Sequence, residues 1–129
     1  MKKLNKKQSV IFNKIIEPLE NGKDHYKLEN SKSFMPLSVE KLGTYDVGIM
    51  YSLCHYFKQN GDLCQDPEMV FLKHANGNVY PAMFQQAIPP IYEESIFFDS
   101  GWKCCHKMQA DHTKFANMWM NNIKEQQRL

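Results

Sequence analysis

The sequence contains no apolar run near the length of a membrane span, and its mean hydropathy is −0.56. A helix needs about 18 or more consecutive apolar residues to cross a bilayer, so a spanning helix is excluded. The chain also has little net charge: 16 basic against 14 acidic side chains leave a formal +2. That balance provides no overall field to draw it to nucleic acid or an anionic membrane. Cysteine is sparse, with Cys54, Cys64, Cys104 and Cys105 alone. The vicinal pair and irregular spacing argue against a disulfide framework and for reduced thiols. There is no phosphate loop and no dinucleotide fingerprint, so no cofactor is expected. A secretory leader is not expected either. Met1–Lys7 is basic, but Gln8, Ser9, Asn13 and Lys14 break the region where an apolar core would follow. The expected compartment is the cytoplasm.

The chain has 129 residues, 43% of them hydrophobic and 12% aromatic, enough for one domain with a real core. No repeat or linker divides it, and residues 1–129 read as a single domain. Charge is unevenly spread. Residues 1–43 hold nine lysines against five acids, and residues 44–100 hold two lysines against seven acids. Residues 101–129 hold five basic residues against two acids. Two readings follow. Either the basic ends touch and neutralise the acidic middle, or the middle presents an acidic face to a basic partner.

Residues 4–20 carry Leu4, Ile11, Ile15 and Leu19 on one helical face, widened by Phe12 and Ile16, with Asn21-Gly22 as a stop. Residues 25–43 read as broken extended chain, with Pro36 suiting a strand start or edge. Residues 46–59 are the strongest strand signal. Val47, Ile49, Tyr51, Leu53, His55 and Phe57 share one parity and form the expected core face. Met50, Cys54 and Tyr56 on the other parity imply partial cover there too. A loop is expected over 60–68, from Asn60-Gly61 to Asp66-Pro67. Strands 68–74 and 79–85 flank Asn76-Gly77, which favours a two-residue type I′ turn. That turn pairs His74 with Val79, Leu72 with Pro81 and Val70 with Met83. Beyond it, Ile88-Pro89-Pro90-Ile91 reads as loop, Ser95–Phe98 as a short strand and Asp99-Ser100-Gly101 as a turn. Residues 107–127 read as a closing helix with Met108, His112, Phe115, Trp119 and Ile123 in a stripe. The expected fold is α+β: an antiparallel sheet of four to five strands packed against N- and C-terminal helices.

Candidate sites are few. Asp62, Asp66 and Glu68 form an acidic loop, and His55 and Tyr56 precede it on the strand. Carboxylates this close suit a divalent cation, but the spacing matches neither an EF-hand nor a strand-borne Glu-x-Lys nuclease motif. Ordinary turn chemistry explains the same Asp and Asn residues. Cys104, Cys105, His106 and His112 lack the paired spacing of zinc ligands. A Cys64–His55 nucleophile pair has no third orienting group and no oxyanion turn. Aromatics crowd the middle (Tyr51, Tyr56, Phe57, Phe71, Tyr80, Phe84, Tyr92, Phe97, Phe98 and Trp102). Core filling is their first explanation, because an acidic stacking platform repels phosphate.

Several short runs combine into a more specific pattern. They are Phe34-Met35-Pro36-Leu37, Ser52-Leu53-Cys54-His55-Tyr56, Asn60-Gly61-Asp62-Leu63 and Asp66-Pro67-Glu68-Met69. Tyr80-Pro81, Ile91-Tyr92-Glu93 and Phe115-x-x-x-Trp119-x-x-Asn122-Ile123 follow. From Phe34 onward the chain resembles an uncharacterised bacterial domain family found among accessory genes of conjugative and other mobile elements. The resemblance implies a bacterial intracellular protein in a mobile-element context, and it transfers no catalytic residue. It singles out Asn60, Gly61, Asp62, Asp66, Pro67 and Glu68. The chain departs from the family at Phe84-Gln85-Gln86-Ala87, where an acidic or Asn residue is expected near Ala87.

The leading expectation is a small non-enzymatic binding protein. It would contact a protein partner through an acidic, aromatic sheet region that includes His55, Tyr56, Asn60, Asp62, Asp66 and Glu68. The alternative is a nucleic-acid accessory protein using Lys2, Lys3, Lys6, Lys7 and Lys14 with the basic closing helix. A metal-dependent hydrolase centred on Asp62, Asp66, Glu68 and His55 stands third. No membrane partner is expected.

Overall fold

The apolar stripe of the first segment forms helix α1 (Lys6–Glu20), which buries Ile11, Phe12, Ile15, Ile16 and Leu19. The computed structural model describes residues 1–129. The helix stops where expected. Gly22 takes φ +114°, and the amides of Asn21 and Lys23 donate to the carbonyls of Glu17 and Pro18. The segment before it is pinned: the Leu4 amide donates to the Val79 carbonyl at 2.8 Å, and Leu4 is buried. The closing segment forms α2 (His106–Gln126), burying His112, Ala116, Trp119, Met120 and Ile123.

Between the helices run β1 (His25–Leu28), β2 (Leu37–Tyr45), β3 (Gly48–Gln59), β4 (Asp62–His74), β5 (Val79–Gln86) and β6 (Ile91–Glu94). They form one antiparallel meander in sequence order. β7 (Ile96–Phe98) and β8 (Trp102–Cys104) form a separate hairpin. The fold is α+β as expected, but the sheet has six strands rather than four or five, with a second two-stranded sheet. β6 and β8 are four and three residues long, too short to show a periodic pattern.

Both helices cover one face of the meander. Phe12 of α1 sits at the centre, 5.0 Å from the Phe71 ring and 6.0 Å from the Tyr51 ring. Leu37, Val39, Tyr51, Leu53, Met69, Phe71 and Val79 supply the sheet's side of this core. Tyr51 and Leu53 are therefore on the core face as their parity predicts. Ser52 and Cys54, of opposite parity, are also buried.

Two turns differ from expectation, and they exchange roles. Asn60 and Gly61 take φ +52° and +86° between the paired residues Gln59 and Asp62. Two successive positive φ values are the type I′ signature. Residues 62–68, expected as loop, are consequently strand. At Asn76-Gly77 the loop instead has three residues. The Gly77 amide donates to the His74 carbonyl, the His74 amide donates to the Asn78 carbonyl, and Gly77 is at φ +92°. The register shifts accordingly: Lys73 pairs with Val79, Leu72 with Tyr80 and Phe71 with Pro81. A bulge between Val70 and Phe71 then restores the expected Val70–Met83 pair. Pro81 precedes Met83, where β6 begins to pair, as its missing donor requires.

Gly48 opens β3 at φ +152°, and a Cβ there would lie 2.2 Å from the Lys73 carbonyl oxygen. Gly48→Ala should therefore destabilise the fold by about 2–3 kcal/mol, from backbone strain and displacement of β4. The urea unfolding midpoint measures this, and an unchanged midpoint would contradict the close approach.

Candidate functional site

The sheet face opposite the helices holds a largely apolar cavity. It is a groove of about 530 Å³ bounded by the sheet and the β7–β8 hairpin. Met50, Val70, Ala82 and Met83 come from β3, β4 and β5, and Phe97, Phe98 and Trp102 come from the hairpin. The hairpin is anchored at its far end. The Trp102 indole N–H donates to Asp46 at 3.0 Å, and its ring meets Tyr45 edge-on at 5.6 Å. Leu42 joins the rim because a bulge between Lys41 and Gly43 inserts it into β2.

Glu68, Gln85, Tyr92 and Glu94 are the groove's polar and amphipathic lining. Ser52 Oγ donates to Glu68 Oε2 at 2.6 Å, and the Tyr92 hydroxyl donates to Glu94. Next to them, burial pushes the Tyr56 phenol up to about 12, with Cys54, Glu68 and Glu40 adding to the shift. Burial also pushes the Cys54 thiol up to about 12, against the lowering effect of its Tyr56 contact. A thiol held protonated at neutral pH is not a nucleophile.

The expected site residues are divided among separate places. Tyr56 and Glu68 lie on this uncovered face, and Glu68 lines the groove. His55 points the other way, as alternation demands, and meets Trp119 of α2 edge-on at 5.6 Å. Asn60 and Asp62 are exposed at the distal turn, and Asp66 is exposed in the irregular stretch where β3 pairing skips from Glu68 to Gln65. No three His, Cys, Asp or Glu side chains converge in metal-binding geometry. The constellation of Asp62, Asp66, Glu68 and His55 is thus not assembled.

Both His112 nitrogens are engaged, which removes it from any zinc set with Cys104 and Cys105. Nδ1 bonds Ser95 Oγ at 2.8 Å and Nε2 bonds Glu93 at 3.1 Å. This Ser–His–Glu chain resembles a hydrolytic triad in composition. Ser95, however, is 0% exposed, so substrate has no access to its hydroxyl. The chain of bonds holds the β6–β7 junction instead: the Ser95 amide donates to Ala82, and its carbonyl accepts from Cys105. Sequence reasoning placed His112 in the apolar stripe and missed Ser95 and Glu93. It did not assemble the groove walls, whose legible signals were the apolar second parity of β3 at Met50, Cys54 and Tyr56 and the crowding of Tyr92, Phe97, Phe98 and Trp102.

Folding pairs only a few of the charges across the three segments. The ion pairs are Lys73–Glu20, Lys103–Asp99 and His112–Glu93. Lys103–Asp99 is the one lysine pair between a basic end and an acidic-middle carboxylate, and it is exposed; Glu68 and Glu94 have no basic partner.

Across residues 6–129 the chain matches the model of a domain of unknown function, DUF6908. The chain belongs to this family. Comparison with curated proteins and with solved structures finds no significant match. The family assignment covers both helices and the whole sheet, so the groove lies inside the family's domain. No helix is long and apolar enough to cross a membrane.

Two measurements probe the site's supports. Burial lowers the His55 pKa from the ordinary 6.5, with Asp66 opposing. The unfolded state then binds the proton more readily, so stability should fall as pH drops through and below 6.5. Urea midpoints against pH measure this, and His55→Phe should flatten the decline. His112→Ala leaves the buried Ser95 hydroxyl without its partner and should cost about 2–3 kcal/mol. A wild-type melting curve for that variant would contradict a structural role.

Proposed function

We propose that this chain is a non-enzymatic binding protein of a bacterial mobile element, contacting a protein partner through the uncovered, acidic and aromatic face of its sheet. One observation carries the reading. Apolar side chains gather in the open around a single groove: Leu42, Tyr45, Tyr92 and Phe98 are 46%, 47%, 61% and 67% exposed, and all four line it. Single exposed apolar residues are normal on a protein surface, whereas a contiguous patch marks an interaction site. Aromatic-rich, water-accessible patches suit protein interfaces. The mobile-element context rests on the sequence resemblance described above.

The expected binding residues thereby change. Tyr56 and Glu68 remain, Tyr45, Tyr92, Glu94, Phe98 and Trp102 join them, and His55, Asn60, Asp62 and Asp66 leave the proposed interface. The second reading, nucleic-acid binding through the helix side, is favoured by one fact: Lys2, Lys3, Lys6, Lys7 and Lys14 are exposed and form no ion pair. A salt-sensitive gel shift lost in a Lys2/Lys3/Lys6/Lys7/Lys14→Gln variant would support it.

Tyr92→Ala combined with Phe98→Ala should weaken partner binding by about tenfold or more while leaving the melting temperature within a few degrees, because both side chains are largely exposed. Affinity capture followed by titration of the purified partner measures it. Equal affinity for wild type and variant would reject this face as the interface.

A further inference from the structure

Resting on the groove reading above, we infer that the occupant is a linear peptide segment of a partner protein carrying a lysine or arginine beside a bulky apolar residue. The lining divides into two chemistries. Met50, Val70, Ala82, Met83 and Ile96 are apolar, whereas Glu68 and Glu94 add two carboxylates with no cation facing them. No lysine, arginine or histidine lines the groove. Glu68 accepts from Ser52 and Glu94 from Tyr92, both neutral donors, so an incoming ammonium or guanidinium adds the missing counter-charge through a charge-assisted hydrogen bond.

The aromatic components point the same way. Tyr45, Tyr92, Phe98 and Trp102 line the groove, and aromatic π faces attract cations. Three of these rings are already braced against one another: Phe98 meets Trp102 at 5.5 Å, and Trp102 meets Tyr45 at 5.6 Å. A braced aromatic wall loses little side-chain freedom when a ligand docks. Phosphate-bearing ligands are disfavoured by the same two carboxylates and by Glu40, whose charge is felt at the adjoining Tyr56.

A peptide fits better than an isolated small molecule. Pockets of about 300–1,000 Å³ that hold small ligands enclose most of the ligand surface. Here the volume falls in that range, yet Tyr92 and Phe98 on the rim are mostly exposed. Such a rim is covered when a larger partner lies across it, with one basic and one apolar side chain inserted.

Panning the intact protein against a displayed library of random linear peptides tests the occupant. Counter-selection uses the Tyr92→Ala/Phe98→Ala variant. The expected result is enrichment of peptides with lysine or arginine next to an aromatic or large aliphatic residue. Their affinity, titrated as synthetic peptides, should fall about tenfold or more in Glu68→Gln/Glu94→Gln and weaken with added salt. Thermal melts of that variant confirm that it folds. Enrichment of neutral or acidic peptides that still need Tyr92 and Phe98 would overturn the basic occupant and leave the groove as the interface. Enriched peptides resembling Met1–Lys14 would make the occupant a second copy of this chain and overturn the partner. Absence of any peptide dependent on Tyr92 and Phe98 would overturn the occupant and the groove reading together.

Discussion

The fold depends on Phe12. Its ring fills the space between Tyr51 on β3 and Phe71 on β4, so the first helix is packed onto the middle of a sheet formed much later in the chain. Trp119, Met120 and Ile123 of α2 complete the same core from the other end of the sequence. Two helices separated by the whole sheet thus share one apolar layer. Their shared layer is what makes the meander one-sided, since no third helix exists to cover the opposite face. The remaining apolar surface on that face falls to a short hairpin, β7–β8, tied down by Trp102 and the Ser95–His112–Glu93 bonds. The groove is the space between the sheet and that hairpin.

Charge follows the same division. The terminal elements carry the exposed lysines, and the uncovered face carries Glu40, Glu68 and Glu94 near Tyr56 and Tyr92. Folding leaves these charges apart instead of pairing them. Like charges on one face repel and cost some stability. A polar cluster with protonated Cys54 and Tyr56 at its edge has no activated nucleophile.

Much of the architecture was legible from periodicity. The two helices and the long central strand carry period-3.6 and period-2 patterns over many residues. Asn60-Gly61 and Asn76-Gly77 both announced turns, but the dipeptide alone did not distinguish a two-residue loop from a three-residue one. The flanking pairing made that choice, with a bulge at Val70/Phe71 absorbing the difference. The acidic loop expected over 60–68 became strand because the tight Asn60-Gly61 turn brought Asp62 directly opposite Gln59. Alternation then sent His55 and Tyr56 to opposite faces and dispersed the supposed site.

The amino-acid sequence by itself determined the fold class, the core faces of α1, β3 and α2, and the uneven charge. Those depend on local spacing and composition, which a linear chain displays directly. Tertiary structure alone decided which acids and aromatics meet. Tyr45, Met50, Glu68, Met83, Tyr92, Glu94, Phe98 and Trp102 come from seven strands and share no spacing. They converge because Phe12 draws a helix onto one face, leaving the other to be roofed by a hairpin of which the sequence showed the first strand and the turn but not the three-residue second strand.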